Sequence, residues 1–462
     1  MYLKLLSRIT LTGVLLTFTW LHSAAQSGSQ INYFVPQPFP RSPTATALEK
    51  YGTYQVNEFT GVPDISIPLY TVEAGGFQVP ITLSYHASGN KVTDVASWAG
   101  LGWSVSAGGQ LSRKSMGLPD DVTYGYLNGY LWPYSSINTS TSATVHYLEN
   151  VSNGTYDSKP DIYSYDFPGH GGKFFFDGSA HNGTYPVRML PYAPLTVNYK
   201  MIPYSTVTPP PATGLTTFYI TDEHGNNYTF GDAAVETTFS SSSGHPGSTT
   251  ASAWKLEKMI SQNRRDTILF SYQGDVVNYP SADGEIYTVI DQITPIDTTG
   301  YSNPTYSLAP TTPGNANITA EELPQQITFR NGKVVFDLDP SVRTDVNVGT
   351  PGDHAYGLKD IKVYQYNYGT KLMELQKTIV FYKSYFDPSL NPRLRLDSIE
   401  VLDKAGAVMQ HYRFDYNTSL TLPGYTSYQQ DYWGYYNGKA NNMFTPQQPL
   451  PGSHIPVTQL PM

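Results

Sequence analysis

Apolar and polar residues alternate with a period of two along a series of short segments joined by turn residues, and no long stretch carries apolar residues at helical spacing. A side-chain pattern that repeats every second residue is half buried only in an extended strand, so the chain is restricted to antiparallel β-structure. Ile65, Ile67 and Leu69 alternate with Ser66 and Pro68. After Gly75-Gly76, Val79, Ile81, Leu83 and Tyr85 alternate with Pro80, Thr82 and Ser84. Proline gives no ladder hydrogen bond, so Pro68 and Pro80 are expected on an edge or at a strand start. The segment Ile327 to Phe336 contains Asn331-Gly332, the favoured two-residue type I′ turn, which sets Ile327 opposite Phe336 and Phe329 opposite Val334. Similar units recur. Phe218 to Thr221 and Tyr228 to Phe230 flank a turn with Gly225; Ile399 to Leu402 and Tyr412 to Tyr416 flank one with Gly406; Trp254 to Leu256 and Ile268 to Tyr272 flank Asn263 to Asp266.

The composition fits an exported all-β protein. Tyr is extreme at 38, beside 19 Phe and 6 Trp, and aromatic residues favour strands; 39 Gly and 35 Pro supply many turns. The net charge of -9 argues against a general affinity for nucleic acid. With no cysteine there are no disulfides, no thiol catalysis and no Cys-based zinc sites. Lys4 and Arg8, the apolar run Ile9 to Leu21 and the small residues Ser23-Ala24-Ala25 make residues 1–25 an expected signal peptide, cleaved before Gln26. The run is short of the ~20 residues needed to span a bilayer. The product is expected outside the cell or at its surface, with an outer-membrane or periplasmic location also open.

Sandwich-like or barrel-like domains are expected over 26–125, 126–272 and 273–445, the first with a lead-in containing Pro36, Pro38, Pro40 and Pro43, and a disordered tail over 446–462. Surface loops are expected at Asn138 to Ser142, Pro209 to Pro211, Ser240 to Ser243 and Pro310 to Gly314. The run Trp98-Ala99-Gly100-Leu101-Gly102-Trp103-Ser104-Val105-Ser106-Ala107-Gly108-Gly109 reads as a tight corner. Glycine lets backbones approach there, and the tryptophans fill the space between them.

Six segments in order resemble the N-terminal region of secreted bacterial RHS/YD-repeat proteins. They are Gly61 to Leu69, Trp98 to Gly109, Gly117 to Asp121, Lys159 to Gly169, Gly172 to Phe174 and Asp431 to Gly438. The resemblance implies a large exported β-structure that works with a downstream YD-repeat polypeptide as its partner. Tyr412-Arg413-Phe414-Asp415-Tyr416 is the single local echo of a YD repeat; no long repeat array, RHS core or effector domain is seen.

Motifs with catalytic mechanics are absent: no G-x-S-x-G elbow, H-E-x-x-H pair or Walker A loop occurs. Ser88-Gly89-Asn90-Lys91 matches S-x-x-K but reads as a turn after a strand. His170 and His224 are able to ligate a metal, yet neither has a partner at ligand spacing. Asp120-Asp121, Asp337/Asp339 and the Asp157 to Asp161 stretch are carboxylate pairs, open to glycosidase chemistry, to turn capping or to weak Ca²⁺ contacts. Tyr432, Trp433, Tyr435 and Tyr436 cluster beside Asn437-Gly438 and form the candidate ligand or partner surface, for protein or for glycan; a packed corner is the competing reading. The expectation is a non-enzymatic structural or interaction module without a required cofactor, with a carbohydrate-binding or glycan-active protein as the alternative.

Overall fold

The computed structural model describes residues 65–128, 132–179, 185–202, 214–242, 245–279, 285–286, 309–310, 317–346 and 354–441. The expected signal peptide, lead-in and tail lie outside these residues, as do the expected loop at Pro209 to Pro211 and most of that at Pro310 to Gly314. Strand makes up 57% of the structure and helix 5%, an all-β fold. Among the described residues no helix is long and apolar enough to cross a membrane.

A three-stranded antiparallel sheet comes first: β1 (Ile65–Ala74), β2 (Phe77–Tyr85) and β3 (Trp103–Ala107), in that order. Leu69 is left out of the β1–β2 register as a bulge, so the buried set changes phase from Leu69 to Val72 and Ala74. Pro68 lies on the edge strand beside this bulge. Pro80 is not at a strand start but inside the central strand β2, opposite Thr71, where it falls one residue beyond the last β2–β3 pair, Ile81 with Ala107, so β3 has no ladder bond to lose there.

The second sheet has 15 strands. They are β4 (Gln110–Lys114), β5 (Ile162–Phe167), β6 (His170–Phe176), β7 (Val187–Leu190), β8 (Thr196–Ile202), β9 (Gly214–Thr221), β10 (Asn227–Ser242), β11 (His245–Ile260), β12 (Thr267–Tyr279), and then β15 (Asn317–Phe329), β16 (Gly332–Val342), β17 (Tyr356–Asn367), β18 (Leu372–Phe386), β19 (Arg393–Asp403) and β20 (Val408–Arg413). Between β12 and β15, β13 (Glu285–Ile286) and β14 (Ala309–Pro310) pair only with each other. The main path runs β20-β19-β18-β17-β16-β15-β10-β11-β4-β5-β6-β7.

This sheet branches because its longest strands change partner along one edge. On β10, Asn227 to Gly231 pairs with β9 and Thr237 to Ser240 with β15. On β11, Ala253 to Lys255 pairs with β4 and Lys258 to Ile260 with β12. Since β12 also pairs with β15, the strands β10, β11, β12 and β15 close a ring. A bulge between Phe230 and Val235 re-aims β10 between its two partners. The Glu257 carboxylate accepts from the Ala233 and Ala234 amides inside it, at 2.8 and 2.6 Å.

The hairpins flanking Gly225, Gly406 and Asn263 to Asp266 form with Ile220 opposite Tyr228, Ile399 opposite Tyr412 and Met259 opposite Ile268. The hairpin at Asn331-Gly332 forms in a corrected register. Phe329 pairs with Gly332 and Ile327 with Val334, so Arg330-Asn331 make the turn. Asn331 is held by β17 and the turn after it, its carbonyl accepting from the Tyr366 amide and its side chain from the Tyr368 hydroxyl, both at 2.8 Å. A shift of two residues preserves strand parity, and Ile327, Val334 and Phe336 still share a buried face. One loop expectation is also corrected. Ser240 and Ser242 belong to the long β10–β11 hairpin, paired with Ser248 and His245. Asn138 to Thr141 is the exposed loop expected there, and it ends where Ser142 starts the helix α1 (Ser142–Ser152), whose N-cap Thr141 accepts from the Thr144 amide at 3.3 Å.

One apolar cluster runs from Leu69 on β1 to Val401 on β19, so the small sheet packs onto the large one. The Trp98 to Gly109 corner is the join. Trp98 and Trp103 are buried; Trp103 lies 4.9 Å from the Tyr85 ring and 4.4 Å from Phe414, and its indole N–H donates to the Tyr416 hydroxyl at 2.8 Å. The Leu101 amide donates to Leu394 O, and Trp98 O accepts from the Leu358 amide. Gly100, at φ +135°, has the Leu396 amide 2.9 Å from where a Cβ would stand, so no larger residue fits.

Candidate functional site

The aromatic segment Tyr432 to Tyr436 divides into an exposed tip and a half-buried base. Tyr432 is 89% exposed and Trp433 67%, with ring centroids 5.9 Å apart at 90°. Tyr435 and Tyr436 are half buried. The tip is a tight turn organised by Asp431, whose carboxylate accepts from the Trp433 and Tyr435 amides, both at 2.9 Å. The Asp431 amide donates to Tyr435 O at 2.8 Å, and Gly434 takes the left-handed conformation that completes the turn. The base is fixed to the loop after β2. There the Val92 amide donates to Gly434 O at 2.9 Å, Lys91 bridges to Tyr435, and the Lys91 ammonium lies 5.9 Å from the Tyr435 ring. Two large aromatic side chains therefore project from a backbone that is held on both sides.

The carboxylates that the sequence presents as separate pairs meet at the neck of the excursion between β4 and β5, residues 115–161. One carboxylate oxygen from each of Asp120, Asp157 and Asp161 lies within 4.8 Å of the others, and all three residues are buried. Asp120 and Asp161 clasp each other: each amide donates to the other's carboxylate, both at 2.9 Å. The Tyr163 hydroxyl donates to Asp120 at 3.1 Å, and the Met116 amide to Asp161 at 2.9 Å. Asp157 accepts from the Lys159 amide through Oδ1, while its Oδ2 has no hydrogen-bond partner. The Arg113 guanidinium donates to Asp121 and to Ala251 O, and its Nε stands 3.9 Å from Asp161. Burial pushes Asp161 up to about 7 against the pull of Arg113. Burial, then the Asp161 charge, pushes Asp120 well up, and burial raises Asp157.

The remaining sequence candidates have local partners. Asp337 on β16 pairs with Lys362 on the neighbouring β17 at 2.5 Å, and Asp339 on β16 pairs with Lys383 on β18, across β17, at 2.8 Å. Glu223 stands 3.3 Å from His170 and 3.6 Å from His224, and the His170 ring stacks on Phe167. Ser88 hydrogen-bonds to His86, while Lys91 turns to Tyr435 rather than to that serine. Among the described residues only the Asp120 group brings three metal-ligating side chains together.

Comparison of the chain with protein-family models gives no match, and comparison with curated proteins gives none either.

Proposed function

We propose that the chain is a non-catalytic structural and interaction module of an exported RHS/YD-repeat-type protein, acting in a cell-surface or secreted assembly, with the Tyr432–Trp433 tip as its docking point. The observation that carries this reading is the exposure of both rings on a turn fixed by Asp431 and Lys91. Tyr and Trp supply large contact areas with few rotatable bonds, and they dominate interface energetics when a partner buries them. Little conformational entropy is lost on docking because the backbone beneath is already ordered. A projecting tip suits a groove on another protein.

The carboxylate pairs support the non-catalytic side of the proposal. A glycosidase needs two carboxyl groups about 5–9.5 Å apart with sugar and water between them. Asp120 and Asp161 are 0% exposed and joined through their own backbone amides. The glycan-binding alternative rests on the same exposed rings, but planes at 90° offer a sugar no shared flat platform.

The test is native purification of the tagged chain from the envelope and medium of the exporting cell, beside the Tyr432→Ala/Trp433→Ala variant. A co-purifying YD-repeat polypeptide that the variant loses is the expected result. Equal recovery with both chains, or retention of the wild type on a glycan array through these rings, would overturn the reading.

A further inference from the structure

We propose that Asp120, Asp157 and Asp161 form a binding site for a hard divalent cation, Ca²⁺ by class, that clamps the neck of the excursion between β4 and β5. Three features of the site carry this. First, the donors are all carboxylate oxygens, the ligand type of a hard cation, and no His or Cys belongs to the set. The three oxygens all lie within 4.8 Å of one another, close enough for one ion to touch all of them, and Mg²⁺, which dehydrates reluctantly and keeps several waters, suits a buried set of carboxylates less well than Ca²⁺.

Second, Asp157 is 6% exposed and its Oδ2 has no hydrogen-bond partner, although its carboxylate is drawn in against Asp120 and Asp161. A buried carboxylate oxygen without a donor is costly unless a cation faces it. Third, the local charge is not balanced by side chains. Arg113 is engaged by Asp121 and reaches Asp161 only at 3.9 Å, and Lys159, the other nearby cation, is exposed. Gly117 leaves the space for Asp157: a Cβ there would lie 2.7 Å from Oδ1 and 2.9 Å from Oδ2.

The placement gives the ion a task. Asp120 follows β4, Asp157 follows α1, and Asp161 immediately precedes β5. An ion held by all three ties the entry, the helix and the exit of the excursion at one point.

The experiment is a calorimetric titration of the chelator-treated full chain with CaCl₂, repeated with MgCl₂, on the wild type and on Asp157→Asn. Asparagine keeps an acceptor for the Lys159 amide while removing the charge. The wild type should bind one Ca²⁺ per chain and bind Mg²⁺ at least tenfold more weakly; D157N should lose at least tenfold in Ca²⁺ affinity while melting in EDTA like the wild type. Terbium titration of the wild type needs no variant: Tyr163, whose hydroxyl meets Asp120, should sensitise Tb³⁺ emission that Ca²⁺ displaces. Absence of a Ca²⁺ heat together with absence of displaceable Tb³⁺ emission would overturn the proposal. So would a folded D157N that binds Ca²⁺ as tightly as the wild type.

Discussion

Arg393 shows how single side chains hold distant parts of the chain together. It is 0% exposed, donates to the carbonyls of Val92, Asp94 and Pro423 at 2.8–2.9 Å, and lies 3.8 Å from the Tyr425 ring. Those carbonyls belong to the loop after β2 and to the segment that follows β20, so one guanidinium joins both to β19. Arg393→Met keeps the volume but leaves three acceptors without their donor, each costing about 1–3 kcal/mol. The expected loss is upwards of about 3 kcal/mol, read as a lower urea midpoint at unchanged m-value; an unchanged midpoint would refute the role. Gly100→Ala tests the corner in the same way. The new Cβ meets the Leu396 amide at 2.9 Å, and φ +135° adds strain of about 1–3 kcal/mol, so G100A should unfold at lower urea than the wild type.

At the scale of elements, the bulge in β10 is the device that lets one strand serve both β9 and β15. Glu257 satisfies its two inner amides, so Glu257→Ala should cost about 1–3 kcal/mol and Glu257→Gln less, because the amide oxygen still accepts. Amide hydrogen exchange at Ala233 and Ala234 should accelerate in E257A and remain near wild type in E257Q. How much of these elements can be read from the sequence depends on how local their causes are. The hairpins around Gly225, Gly406 and Asn263 to Asp266 are legible because their signals, alternation and turn residues, lie within a few positions of each other. The Asn331-Gly332 register is not, since the competing hold on Asn331 comes from Tyr366 on β17 and Tyr368 in the turn after it. Helix α1 buries only Thr144 and Tyr147, too little for an apolar stripe, and its one legible signal is the Thr141 cap. The aspartates are visible as pairs, but their meeting depends on β4 and β5 closing the excursion, which no local pattern announces. The exposed aromatic tip is legible as a cluster; its division into Tyr432 and Trp433 outside and Tyr435 and Tyr436 at the base depends on the contact with Lys91 and Val92.

Across the whole molecule, buried acids set the pH response. Burial, then the charges of Glu236 and Glu257, pushes Glu322 up to about 7 against the pull of Lys255, and burial pushes Asp275 and Asp166 up to about 6. The folded chain keeps these protons where the unfolded chain has released them, so their stabilisation is full below about pH 4 and is lost as pH rises towards about 7. Asp177, held at about 2 by hydrogen bonds from Ser179 and Arg188, has finished titrating below this window. The urea midpoint should therefore fall between pH 4.5 and 7, and Glu322→Gln should flatten that slope; an unaltered slope in E322Q would contradict the assignment. Among the described residues the largest apolar cluster underlies both the three-stranded and the 15-stranded sheet, with two small clusters beside it, while Tyr432 and Trp433 are exposed. The most direct test of that tip as a docking point is to place a photo-crosslinking phenylalanine analogue at position 433 and irradiate the exporting cells. A crosslink to a YD-repeat polypeptide, absent when the analogue replaces exposed Tyr368 in the turn after β17, is the predicted result. A residue at position 433 that captures no protein would contradict the account.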